Sequence, residues 1–228
     1  MPSRRTIDIL LNSAHVAINN SLTNSQIQAY LKEFGYTPER IQQGKLLYEA
    51  ALAAHQQQRA DYGDQRTATT ALQQAWETAK KSYMRYIKVA RIAFKDNVGV
   101  ATRLELEGDR KKSLPGWLAQ ANQFYTNLLN APELLTQLRE YGITADKLQA
   151  GQAEVQAVDT ANLSQRTEKG DAQTATQTKE KAIAALQSWM SDFTRIARLA
   201  LESDRQLLEG LGIVVKTRNT SSGERRSA

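Results

Sequence analysis

The sequence repeats itself, because residues near its start recur 107 positions later in the same order and without a gap. Gly35 and Gly142 fix this register. The matched residues of the first copy are Leu31, Glu33, Gly35, Thr37, Gln42, Gly44, Gln58, Arg59, Gly63, Asp64, Thr67, Ala68, Thr69, Ala90, Arg91 and Ala93. Self-similarity at a fixed period marks repeated structural units, and a period this long indicates a duplicated domain and not a short solenoid repeat. We therefore expect two similar units of roughly 100 residues each.

Composition and periodicity predict that both units are helical. Only 4 prolines are present, and the abundant Ala, Leu, Gln and Lys residues lose little side-chain freedom on a helical backbone. Apolar residues recur at steps of three and four, which is the spacing of one helix face. The predicted fold class is all-α, an internally duplicated up-and-down helical bundle with two pseudo-symmetric four-helix units. The predicted first repeat spans 6–108, the second spans 113–215, and 216–228 form a disordered basic tail.

Capping signals predict where the first three helices of each copy begin and end. Thr23 lies three residues before Gln26, a capping-box spacing that predicts the start of the second helix. Gly35 can take the left-handed conformation that ends helices. Thr37 is placed to cap the third helix with Pro38 at its first position.

A break is predicted in the middle of each copy. Gly63 and Asp64 favour a bend, so the third helix is expected over about 38–62 and the fourth from about Arg66. The expected core stripe of the fourth helix contains alanines where bulkier residues are usual, which favours close helix packing. These alanines are Ala90, Ala93, Ala197 and Ala200.

Charge and cysteine content narrow the possible functions. The net charge is +6, but much of it lies in Arg4, Arg5 and the tail, so the body is nearly neutral. The absence of cysteine excludes disulfides, thiol nucleophiles and thiolate metal sites. No run approaches the ~20 apolar residues that span a bilayer. We expect a cytoplasmic protein that does not bind membranes.

Catalytic groupings are not found in the sequence. A di-metal carboxylate bundle needs Glu-x-x-His motifs, but the two histidines, His15 and His55, lack them, and the second copy has Asn122 and Asn162 instead. A glycine-rich phosphate loop, a serine nucleophile elbow and zinc spacings are also missing. His55 is interpreted as a buried, hydrogen-bonded histidine. We expect no enzymatic activity, no metal and no cofactor.

One polar constellation recurs in both copies and could form a binding site. The candidate binding residues are Arg59, Asp64, Arg91, Arg166, Asp171 and Arg198. The favoured interpretation of Arg59 and Asp64 is a helix-loop-helix corner in which polar groups satisfy helix ends. The alternative is a small anion or partner site that occurs twice, with Arg59 and Arg166 as binding groups. Arg91 and Arg198 could also pair with Glu33 and Glu140 or with Asp64 and Asp171.

Nucleic-acid binding has one plausible location, the fourth helix of the first copy. Its cations are interleaved with Tyr83, Met84 and Tyr86, and they are Lys80, Lys81, Arg85, Lys88, Arg91 and Lys95. The second copy does not keep this pattern, because Asp192 and Glu202 stand opposite Arg85 and Lys95. A solvated helix face is therefore the favoured interpretation.

These observations favour a binding protein over an enzyme. The main hypothesis is a non-enzymatic helical protein that acts by protein–protein interaction or self-assembly, with an unknown protein partner or a second copy. One alternative is binding of nucleic acid or an acidic surface through the basic helix and the C-terminal tail, which would weaken steeply with salt. Another alternative is binding of a small anionic ligand at the paired arginines.

Overall fold

The computed structural model describes residues 4–213, and within this range the chain forms helices and no strands. The helices are α1 (Arg4–Thr23), α2 (Ser25–Glu33), α3 (Pro38–Ala93), α4 (Val98–Arg103), α5 (Leu114–Leu129), α6 (Pro132–Arg139), α7 (Ala145–Ala200) and α8 (Arg205–Gly210). The all-α prediction is confirmed. Val214, Val215 and the predicted tail at 216–228 lie outside the described residues.

Helix boundaries recur at the spacing found in the sequence. The long helices α3 and α7 each contain 56 residues and begin and end 107 positions apart. The short helices α4 and α8 show the same shift. Gly35 and Gly142 have φ values of +78° and +72°, the left-handed conformation predicted for helix ends. These helices therefore have matching lengths and bounds at the spacing of 107.

The predicted break at Gly63 and Asp64 is wrong, because α3 continues through both residues. A glycine inside a helix costs only about 0.5–1 kcal/mol, and the flanking segments are rich in helix-forming residues. Thr67 donates its hydroxyl hydrogen to the carbonyl oxygen of Gly63 at 3.1 Å. This bond runs back along the helix and does not cap a new one. The helix-loop-helix corner is therefore absent, and α7 is likewise continuous through Gly170.

Replacing Gly63 with alanine should test this continuity. A Cβ atom at Gly63 would meet nothing within 4 Å, so Ala should raise the free energy of unfolding by about 0.5–1 kcal/mol. Urea unfolding followed by circular dichroism would measure the change. A loss of stability would contradict the continuous helix, because a left-handed turn at this glycine would disfavour alanine.

The predicted start of α3 is confirmed, and that of α2 is shifted by one residue. Thr37 Oγ1 accepts from the backbone N–H of Arg40 at 3.5 Å at the start of α3. The cap of α2 is Asn24 and not Thr23: its Oδ1 accepts from the N–H groups of Gln26 and Ile27. At the equivalent position Ala131 precedes α6 and makes no side-chain capping bond.

The described residues form two compact units, and unit 1 consists of 4–60 with 174–213. Its described core joins α1, α2, the first part of α3, the last part of α7, and α8. Tyr36 packs edge-on against Phe193 at 5.5 Å between ring centroids, and Phe193 stacks on Trp189 at 5.1 Å. Ala197 and Ala200 are buried in this core as the alanine stripe predicts, and Ile213 is buried there too.

Unit 2 is the continuous segment 61–173. Its core is richer in aromatic residues and centres on Tyr83, which is fully buried. Trp117, Phe124 and Tyr125 of α5 surround the Tyr83 ring with centroid distances of 5.4–6.2 Å. Two of these three contacts are edge-to-face, an arrangement that aromatic rings prefer, and the third is tilted. Ala90 is fully buried in this core.

The compact units do not follow the repeat boundaries at 6–108 and 113–215. Helix α3 contributes 38–60 to unit 1 and 61–93 to unit 2. Helix α7 contributes 145–173 to unit 2 and 174–200 to unit 1. Because neither long helix ends at its midpoint, each unit contains chain from both repeats.

Candidate binding surfaces

All six predicted binding residues are exposed residues of the long helices, and four of them lie near the middle of α3 or α7. Arg59 and Asp64 lie on α3, and Arg166 and Asp171 lie on α7. Within residues 4–213, none of these four side chains forms a hydrogen bond or an ion pair with another of the set. Their role in binding an anion stays a prediction.

Arg91 holds the chain that follows α4. Its Nε donates to the carbonyl oxygen of Leu106, and its Nη2 donates to that of Gly108 at 3.1 Å. The predicted ion pair of Arg91 with Glu33 or Asp64 is therefore wrong. A guanidinium carries five donors in a fixed fork, so one side chain can fix two neighbouring carbonyl groups. Arg91 has a structural role in unit 2.

An arginine of the loop itself, Arg110, joins this loop to the aromatic core. Arg110 donates to the Tyr83 hydroxyl oxygen at 3.2 Å and to the carbonyl oxygen of Glu107 at 2.7 Å. Gln120, which is buried, donates to the Glu105 carboxylate at 3.0 Å and accepts from the backbone N–H of Lys111 at 3.1 Å. These groups use one another as partners, so the loop is a structural network and not a ligand site.

Glu105 bears backbone strain within this loop. Its φ is +48°, the only positive value at a non-glycine residue in the described chain, and Gly212 occupies the equivalent position near the end of unit 1. A non-glycine residue in this conformation costs of order 1 kcal/mol. The hydrogen bond from Gln120 to the Glu105 carboxylate offsets part of that cost.

Burial raises the pKa of three tyrosines above the ordinary value of 10. Loss of hydration is the largest cause for Tyr36, Tyr83 and Tyr125, and the Arg110 guanidinium partly opposes it at Tyr83. The Tyr125 hydroxyl is buried and has no hydrogen-bond partner among the described residues. All three hydroxyls are therefore protonated near neutral pH, so none can serve as a base there.

These raised pKa values predict a loss of stability in alkaline solution. The unfolded chain loses its phenolic protons near pH 10, before the folded chain does, so the free energy of unfolding should fall as pH rises past about 10. Below about pH 10 the three tyrosines make their full contribution to the free energy of unfolding. Thermal unfolding between about pH 9 and pH 11.5 would measure the slope, which Tyr125→Phe should flatten. The exposed Tyr62, changed to Phe, is the control, and an equal flattening by both variants would contradict the prediction.

A run of cations without an intervening acid covers one exposed face of α3 in unit 2. Two of these cations already make contacts within the chain. Arg91 donates to the loop carbonyl groups, and Lys80 lies 3.6 Å from the centroid of the Trp76 ring. Lys81, Arg85 and Lys88 are exposed and have no partner among the described residues. Their spacing of four and three residues places them on one helix face. We call these three residues the basic face.

Unit 1 carries a different surface, an open groove of about 530 Å³ between α1 and α7. Ile9 and Leu10 line one wall, and Met190, Arg195 and Arg198 line the other. Ile9 is 58% exposed although it is a large apolar residue. Neither arginine forms an ion pair or a hydrogen bond within residues 4–213, so the predicted pairing of Arg198 with Glu140 or Asp171 is wrong. We call this surface the α1/α7 groove.

His55 is buried, as predicted, but it is not hydrogen-bonded as expected. Neither ring nitrogen has a hydrogen-bond partner among the described residues, and Asp8 Oδ1 lies 3.6 Å from Nε2. His15 lies on the exposed side of α1, where its Nε2 is 2.8 Å from Asn19 Nδ2. The two histidines therefore lie in different environments, with no shared site.

Residues 4–213 contain no group of three or more His, Cys, Asp or Glu side chains placed to hold a metal ion. No helix in that range has the length and apolar character needed to cross a membrane. The chain matches no protein-family model, no curated protein and no solved structure.

The sequence predicts the basic face but not the groove. The basic face arises from cations on one helix, so helical spacing alone reveals it. The groove joins residues 9–10 to residues 190–198, and no local pattern reports a contact so distant in sequence.

Proposed function

We propose that the protein is non-enzymatic and binds another protein through the α1/α7 groove. The observation that carries this proposal is the pairing of apolar wall residues with two arginines that have no intramolecular partner among the described residues. Burial of Ile9 and Leu10 by a partner would contribute about 25 cal/mol for each Å² of apolar surface removed from water. Exposed apolar residues beside polar ones are typical of interaction sites.

The positive charge of the α1/α7 groove indicates which kind of partner it would bind. Arg195 and Arg198 lie three residues apart on one helix face, and among the described residues no carboxylate lines the groove. An amphipathic segment with apolar and acidic residues at helical spacing would complement both properties. A groove between two helices also suits a third helix in shape. The proposed partner is therefore an acidic amphipathic helix.

Two matched peptides would test this proposal. Both would be helices of about 16 residues, or four turns, with the same leucines but with either Glu or Lys at the charged positions. Fluorescence anisotropy should show tighter binding of the acidic peptide to the full chain. The double variant Arg195→Glu/Arg198→Glu should lose about tenfold in affinity for the acidic peptide, equivalent to ~1.4 kcal/mol, and should prefer the basic peptide.

The control keeps the same change in net charge but places it elsewhere. Arg59→Glu/Lys181→Glu alters exposed residues that do not line the groove, so its peptide preference should match that of the unaltered chain. Equal binding of both peptides would contradict the proposal. Sedimentation velocity of the chain alone would show whether a second copy occupies the groove, because such a dimer would dissociate in the Arg195/Arg198 variant.

The basic face supports a second candidate function, the binding of a polyanion such as nucleic acid. Lys81, Arg85 and Lys88 are exposed, and no acidic residue stands between Lys80 and Lys95 in the sequence. Such binding would be directed at phosphates and would weaken steeply with salt. Titration of single-stranded DNA at several salt concentrations tests it, and Lys81→Gln/Lys88→Gln should reduce the salt dependence.

We also propose that the two repeats arose from one helical module and form pseudo-symmetric units. The common shift of 107 in the boundaries of the long helices supports this. The burial pattern adds support, because Ile27 and Leu31 of α2 are buried like Leu134 and Leu138 of α6. The surfaces have diverged, since the basic face lies in unit 2 and the groove lies in unit 1.

A further inference from the structure

Unit 2 contains a cavity of about 140 Å³. Its lining includes Arg85 of the basic face and no residue of the α1/α7 groove. Arg85, Tyr86 and Val89 of α3 form one wall. Tyr141, Gly142 and Ile143, which precede α7, form the other wall together with Lys147. The volume far exceeds the roughly 10–15 Å³ that one water molecule requires, so a tetrahedral oxyanion has room to enter.

Hydrogen-bond donors dominate the lining of this cavity. Arg85 and Lys147 bring positive charge, and Tyr86 and Tyr141 bring phenolic hydroxyls. No carboxylate belongs to the described lining. Arg85 has no partner among the described residues, whereas Lys147 donates to the carbonyl oxygen of Gly142 at 2.7 Å. A site with many donors and two cations favours an anion with several acceptor oxygens.

The walls are held in place by contacts outside the cavity. The Tyr86 ring packs edge-on against the buried Tyr125 at 6.3 Å. Ile143 donates its backbone N–H to the carbonyl oxygen of Leu138 at 3.1 Å, and it is itself buried. A site whose walls are already ordered loses less entropy on binding than one that must form around its ligand.

We propose that this cavity binds a phosphate group, with Arg85 and Lys147 as the charged ligands. Arg85 can donate two parallel bonds to phosphate oxygens, and Lys147 adds a point charge. Tyr141 is 49% exposed at the mouth, so a phosphate ester would place its remaining part against this ring. The cavity shares Arg85 with the basic face. Phosphate binding in the cavity does not depend on the α1/α7 groove or on polyanion binding.

Isothermal titration of the full chain would test the cavity with two probes, inorganic phosphate and adenosine monophosphate. Both should bind saturably at one site. Tighter binding of adenosine monophosphate would identify a phosphate ester as the ligand source, and equal binding would identify free phosphate. Lys147→Gln should weaken both probes by about tenfold or more, since a charge-assisted bond contributes roughly twice as much as a neutral one.

Lys88→Gln is the matched control, because Lys88 belongs to the basic face but does not line the cavity. Lys88→Gln should weaken binding of single-stranded DNA and leave phosphate binding unchanged. The two measurements therefore distinguish a cavity that does not bind phosphate from a basic face that does not bind DNA. An equal loss of phosphate affinity in Lys88→Gln and Lys147→Gln would overturn the proposal. Amide NMR shifts of Gly142 and Ile143 in the unaltered chain give a second readout, and no shift on addition of phosphate would also overturn it.

Discussion

Replacing Tyr83 with alanine should lower the free energy of unfolding by about 3–5 kcal/mol, the usual cost of deleting a large buried aromatic side chain. Tyr83 is fully buried, and three aromatic rings of α5 surround it within 6.2 Å. Alanine would leave a cavity that these neighbours cannot fill without moving. Urea unfolding followed by tryptophan fluorescence and circular dichroism measures the effect.

Two further tyrosine variants separate packing from hydrogen bonding. Tyr83→Phe keeps the ring and removes only the acceptor for Arg110, so it should cost about 0.5–1.5 kcal/mol. Tyr62→Ala removes an exposed ring from the same helix and should change stability by less than about 0.5 kcal/mol. If Tyr83→Ala cost no more than Tyr62→Ala, the aromatic core of unit 2 would be wrongly assigned.

Replacing Gly151 with alanine should lower the free energy of unfolding by about 1–3 kcal/mol through overpacking. An ideal Cβ at this position would lie only 2.5 Å from the Tyr125 hydroxyl oxygen and 2.7 Å from its Cε1. Tyr125 is fully buried, so its ring has little room to move aside. The substitution would otherwise favour the helix by about 0.5–1 kcal/mol, as at Gly63. Gly63→Ala should therefore raise the free energy of unfolding, and Gly151→Ala should lower it.

The double variant Gly151→Ala/Tyr125→Phe identifies the clashing atom. Phenylalanine lacks the hydroxyl that lies closest to the new Cβ, so it should restore part of the lost stability. Tyr125→Phe alone should be neutral or stabilising, because it removes a buried hydroxyl without a partner in the described structure. Thermal unfolding of the four chains completes the cycle, and strictly additive changes would rule out the contact.

Local signals in the sequence predicted the helix ends but not the length of the long helices. Gly35 and Thr37 act within one helical turn, so their effects can be predicted from a few neighbouring residues. Gly63 was misinterpreted because its intrinsic preference against helix amounts to only about 1 kcal/mol. The packing of α3 in both units outweighs that preference, and packing partners distant in sequence cannot be inferred from a short window.

The repeat itself could not specify which segments pack together. Gly44 illustrates this, since a Cβ there would lie 2.3 Å from the Trp189 ring of the other repeat. Either repeat alone contains suitable apolar faces, so the pattern is equally compatible with a unit made from one repeat. Among the site residues, the role of Arg91 depended on the path of the loop at 106–108. That path is set by tertiary structure and not by helical spacing.

The division of the chain between the units affects the order in which it can fold during synthesis. Residues 61–173 form unit 2 without interruption. This unit can therefore fold as soon as that segment has emerged from the ribosome. Unit 1 needs its first 60 residues and a partner segment that begins at Thr174. Helices α1 and α2 must therefore wait, with part of their apolar faces uncovered, until the segment that follows Thr174 has been made.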